Sequence, residues 1–108
     1  MMNSGNLFSR IPSDLPEEAF ELLAEGSGRI RIERIISRGH ASPEDHWYDQ
    51  ESTEWVALLA GAATLEFEGE EERNLQTGDW IEIPPHRRHR VKRTSHREDT
   101  IWLAIHFQ

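Results

Sequence analysis

The chain has no cysteine. Disulfides, thiolate zinc sites and cysteine nucleophiles are therefore excluded, and the composition suits a reducing cytoplasm. Any metal centre has to use nitrogen and oxygen donors, for which six histidines are available. Basic residues are outnumbered: 12 Lys and Arg stand against 20 Asp and Glu, a formal charge of -8. A phosphate backbone would repel that surface, so no nucleic-acid partner is expected. No apolar run approaches the roughly 20 residues of a membrane helix. The stretch from Met1 to Arg10 lacks the basic patch and apolar segment of a signal peptide. The expectation is a cytoplasmic protein with no membrane partner. Neither a Gly-x-Ser-x-Gly turn nor a glycine-rich phosphate loop occurs.

What is present points to one domain. The 108 residues suffice for a single modest core. With 36% apolar and 30% charged residues the composition is hydrophilic but foldable. The stretch "SRIPSDLPEEAFELLAEGSG" carries the one helix candidate. Ser13 or Asp14 could cap it, Pro16 suits its first turn, and Glu17 and Glu18 suit the positive end of its dipole. Leu15, Ala19, Leu22 and Leu23 recur at helical spacing, and Gly26 and Gly28 end the run. Residues 1–28 are thus expected to form an N-terminal segment with a short helix packed on the main domain, residues 29–108.

From there the hydrophobic period changes to two. "RIRIERII" alternates Ile30 and Ile32 against Arg29, Arg31 and Glu33, as in a half-buried strand. "EWVALLAG", "ATLEFEGEE", "WIEIP", "HRVKRTS" and "TIWLAIHF" read as further strands divided by Gly, Pro and Asp turns. The fold class is all-β, a sandwich or barrel. Six of the twelve basic residues fall between Arg87 and Arg97. They form either a solvated hairpin or an anion-attracting rim beside a pocket, with Arg87 and Arg88 as a possible clamp.

Two spacings then meet. Glu54 is followed by six residues and Gly61; Gly78 is followed by five residues, Pro84, a spacer, His86, two residues and His89. "EWVALLAG" and "GDWIEIPPHRRH" resemble the two motifs of the cupin family, and "WYDQ" and "LAIHF" resemble a subgroup of small one-domain bacterial cupins. The resemblance implies a jelly-roll β-barrel, a homodimer, and a site near the barrel mouth that holds iron, manganese, zinc or nickel. A barrel can supply such a site because alternate side chains of neighbouring strands, about 4.8 Å apart, point inward together.

Carried over residue by residue, Glu54 and His89 match family metal ligands. The family's His-x-His pair has no counterpart. One frame places Trp47 and Asp49 there, the other Tyr48 and Gln50. Three readings stay open. In the first, Asp49 or Gln50 takes a vacated metal position and His46 or His106 completes the set. In the second, Tyr48, Gln50, His89 and His106 form a metal-free pocket for an organic ligand. In the third, the polar residues satisfy one another. His106 shares a strand face with Trp102 and Ala104 by alternation. Tyr48 and His106 are the proton-transfer candidates, and Trp47, His86 and Trp102 the candidates for touching a ligand. The expected function is a divalent-metal cupin that binds or converts a small molecule by oxygenase, isomerase or lyase chemistry. The alternative is a metal-free binding or sensing module.

Overall fold

The structure, a computed structural model, describes residues 4–108. Eight strands follow in order: β1 Ala19–Gly26, β2 Ile30–Ser37, β3 Thr53–Ala60, β4 Ala62–Phe67, β5 Arg73–Gln76, β6 Trp80–Ile83, β7 His89–Thr94 and β8 Thr100–Phe107. They build a five-stranded sheet, β1-β2-β8-β3-β6, and a three-stranded sheet, β5-β4-β7. All the pairings are antiparallel. The apolar core lies between the sheets, with Ile35, Val56, Leu58 and Trp102 from the larger and Ala63, Leu65, Phe67 and Leu75 from the smaller.

The expected N-terminal helix is absent. Ala19–Gly26 is instead an edge strand paired along β2, with a register shift between Leu22 and Ala24. Its Ala, Glu and Leu content favours a helix in isolation. The unpaired backbone edge of β2 offers hydrogen bonds that a helix of this length cannot match, and tertiary context overrides propensity. Buried Arg34 helps to hold this edge. Its guanidinium donates to the Leu7 and Ser9 carbonyls and pairs with Glu21 at 2.6 Å. Among the described residues no helix is long and apolar enough to cross a membrane.

In β2 the period of two holds, but the inward face differs from the expected one. Ile35 lies opposite Trp102 and Glu33 opposite Ala104, so Arg31, Glu33 and Ile35 share the face that looks between the sheets. Ile30 is exposed. The strand therefore turns apolar side chains inward over the core and charged ones inward at the open end.

The basic run does not form a free rim. Arg87, Arg88 and Arg90 pair with Glu70, Glu68 and Glu66 at 3.0, 2.6 and 3.0 Å, and Lys92 and Arg93 share Glu72. Their partners stand on β4 and the β4–β5 turn, so the cations are absorbed by cross-strand pairing on the smaller sheet.

Candidate functional site

The open end of the space between the sheets is a cavity of about 210 Å³. Its polar wall comprises Glu18, Arg31, Glu33, Tyr48, Gln50, Glu54, His89 and His106, and its apolar wall is mainly Ile35, Val56, Leu65, Ile83, Val91 and Trp102. Register explains the convergence. Glu54 on β3 lies directly opposite His106 on β8, so both side chains leave the same sheet face. His89 begins β7 on the other sheet and is bridged to Tyr48 by a reciprocal backbone pair of 2.7 and 3.1 Å.

Glu54 stands between two imidazoles. Its carboxylate is 3.5 Å from His89 Nε2 and 3.9 Å from His106 Nε2. His89 Nδ1 lies 2.8 Å from the Arg87 carbonyl, which can only accept a hydrogen bond. The neutral ring is thereby held with its lone pair on Nε2, facing Glu54 and the cavity. His106 is committed differently. Its Nε2 lies 3.1 Å from Glu33, and its buried Nδ1 has no partner.

Tyr48 flanks this centre, its ring 5.6 Å from that of His89. Burial holds its hydroxyl above the ordinary tyrosine value of 10.0, and the nearby Glu18 charge adds to the effect. At neutral pH Tyr48 is a hydrogen-bond donor rather than a phenolate. It is the chain's one tyrosine, so ultraviolet titration of tyrosinate reads it alone. The expected midpoint is above 10.0, moving part of the way down in Glu18→Gln; a midpoint at or below the ordinary value would refute this placement. A folded-state pKa raised above the unfolded one contributes fully below the unfolded value and is lost as pH rises through the folded value.

The other expected site residues lie outside the cavity lining. Asp49 pairs with His86 at 2.8 Å, both side chains well exposed. His86 holds φ 61°, a conformation histidine tolerates better than most residues. His46 is exposed and sets its ring edge-on to Tyr48 at 4.9 Å. Trp47 is half-buried beneath Arg88, 5.9 Å from its ring. Of the vacated His-x-His frame, Tyr48 and Gln50 turn inward and Trp47 and Asp49 do not. Glu33, Glu18 and Arg31 enter the lining without having been expected. The available signal was Glu33 on the same alternation as Ile35, on the sheet face that carries His106.

A cupin-domain profile matches residues 32–106. The chain belongs to the cupin family. It is similar to a candidate mannose-6-phosphate isomerase of Ralstonia eutropha JMP134, at 45% identity over 99% of both chains, with a TM-score of 0.94. A Thermus thermophilus protein matches at 20% identity and TM-score 0.78 over 98% of this chain and 97% of its own. A double-stranded β-helix cupin of Methanocaldococcus jannaschii matches at 17% and 0.70, over 91% and 86%. These two show the fold alone. Among curated proteins none matches.

Cupins often bind metals, so the donors of this cupin can be tested for one. Donors about 2.1 Å from a metal stand roughly 3.0–3.4 Å apart when adjacent. Glu54 and His89 come close to that spacing, and the Nδ1 anchor of His89 is the support a ligating imidazole needs. His106 lacks such support and its Nε2 is turned to Glu33. Among the described residues no group of three or more His, Asp or Glu side chains is arranged to hold a metal ion. Two positions fit; a resident three-ligand centre, the minimum for a catalytic zinc, does not.

Proposed function

We propose that this cupin binds a small organic molecule between its sheets, at a histidine–carboxylate centre of Glu54, His89 and His106 with Tyr48 and Gln50 beside it. One observation carries the reading. Glu54 is only 8% exposed, and its carboxylate faces the cavity between two imidazoles and lies no nearer than 3.5 Å to either. A buried carboxylate without close partners is costly, and a ligand that donates to it removes that cost. The chemistry within reach is proton transfer. Glu54 or His89 Nε2 can take a proton from a bound molecule, and Tyr48 can donate one. That supports isomerase- or lyase-type conversion, in line with the name carried by the Ralstonia relative.

A second reading keeps the divalent metal. The anchored His89 beside Glu54 favours it, with His106 released from Glu33 to complete the set. One experiment separates the two: elemental analysis of untagged protein, then ligand-fragment screening by thermal shift after chelation. The first reading expects no stoichiometric metal, fragments that bind the chelated protein, and at least about tenfold weaker binding in Glu54→Gln and His89→Ala. A near-stoichiometric metal lost in both variants would replace it with the second. The same sample tests assembly. Trp80 is 61% exposed and stacks on Trp55 at 5.7 Å, and Phe20, Leu22 and Ile30 are exposed along the β1–β2 edge. Such apolar surface and an open edge strand call for cover. We propose a homodimer, with a sedimentation mass twice the 12.6 kDa of one chain; a monomer mass would refute it.

A further inference from the structure

We propose that the molecule this pocket takes is a small amine, with a cationic donor head at Glu54 and a short apolar body against the apolar part of the lining. The inference rests on the metal-free reading above and adds the chemical class of the ligand.

Three observations point the same way. The first is charge. The lining holds three carboxylates, Glu18, Glu33 and Glu54, against one guanidinium. That guanidinium, on Arg31, is half-exposed and already 3.4 Å from Glu33. Even with one imidazole protonated, the wall stays net negative. The second is the type of group left without a partner. Gln50 Oε1 is buried and unpaired, and it accepts hydrogen bonds only. His106 is 6% exposed with an unpaired Nδ1; with the Nε2 proton given to Glu33, Nδ1 is an acceptor too. Glu54 is a third acceptor lacking a close donor. The missing partner is a donor, and beside carboxylates a charged donor gains most. The third is shape. A cavity near 150 Å³ holds a benzene, so about 210 Å³ suits roughly six to ten heavy atoms. Val56, Leu65, Ile83, Val91 and Trp102 offer the body an apolar seat.

The same facts set this pocket apart from a sugar-phosphate site. A phosphate ester would meet three carboxylates and one committed arginine. The cations that could have held it, Arg87, Arg88, Arg90, Lys92 and Arg93, are paired with Glu66, Glu68, Glu70 and Glu72 and do not line the cavity. The name of the Ralstonia relative therefore does not predict the ligand of this chain.

Calorimetric titration of the chelated protein with benzylamine, benzyl alcohol, benzoate and mannose 6-phosphate tests the proposal. Benzylamine is expected to bind at least about tenfold more tightly than benzyl alcohol, with benzoate and mannose 6-phosphate showing no binding. In Glu54→Gln, an isosteric change checked for folding by circular dichroism, amine and alcohol should bind alike. An anion that binds as well as the amine, an amine preference surviving Glu54→Gln, or no amine binding at all overturns it. If benzyl alcohol or mannose 6-phosphate binds instead, and His89→Ala abolishes that binding, the organic pocket stands and only the amine assignment falls. If none of the four binds the chelated protein, both fall together.

Discussion

Gly61→Ala is expected to cost roughly 2–5 kcal/mol of folding stability, the sum of a left-handed backbone penalty and an overpacked contact. Gly61 joins β3 to β4, the step at which the chain leaves one sheet for the other. Its φ is +87°, where an L side chain pushes its Cβ against the neighbouring carbonyl. An added Cβ would also stand 2.5 Å from Thr100 Oγ1, 2.6 Å from Thr100 Cα and 2.8 Å from the Asp99 carbonyl. Two of those three atoms are backbone and cannot rotate away. For a domain of this size each kcal/mol moves the melting temperature by about 4–8 °C, so a fall beyond about 10 °C is expected. Gly69→Ala is the control. Its φ is +81° but an added Cβ there meets nothing within 4 Å, so only the conformational penalty remains. Equal melting temperatures for the two variants would refute the contact argument. The result would also give a physical cause for the glycine at the end of the first cupin motif: it lets β3 cross to β4 beneath Thr100.

Trp102→Ala is expected to cost about 3–5 kcal/mol, the range for removing a large aromatic side chain from a core. Trp102 is 3% exposed, packs in the central cluster, and forms part of the apolar wall of the cavity. Its indole N–H also donates to Ser37 Oγ at 3.2 Å, and that hydroxyl in turn donates to Glu18 on the polar wall. Truncation therefore removes core packing, one wall of the pocket, and the first link of a chain reaching Glu18. Chemical denaturation should show the loss directly, and ligand binding should weaken in the same variant even well below its melting point. Trp102→Phe separates the contributions. It retains an aromatic ring and loses the bond to Ser37, so its stability loss should be clearly smaller. A Trp102→Ala protein as stable as the parent would show that the cluster can collapse around the gap.

Gly61 was legible through the resemblance of the Glu54–Gly61 spacing to the first cupin motif. Trp102 and His106 could be placed on one inward face by alternation, and both are buried. Glu54 and His89 were expected from the resemblance to the two cupin motifs, and they meet at 3.5 Å from two different sheets. Asp49 and Gln50 could not be told apart in advance. One residue of register decides which of the two points inward, and the decision is made by the backbone bond from His86 to the Gln50 carbonyl and the pairing of Asp49 with His86. The N-terminal strand was hidden for another reason. Its composition favours a helix, and the edge of β2 that recruits it is invisible in the local sequence.

By itself the sequence determined an all-β fold, the absence of thiols, and the strands that carry Glu54, His89 and His106, because period and spacing are local properties. Tertiary structure alone decided that Glu33 would claim His106, that the basic run would be neutralised by β4 and the turn after it, and that β2 would present charge at the pocket mouth. Each of those outcomes depends on which residues from distant segments meet across a sheet, and only the folded register sets that.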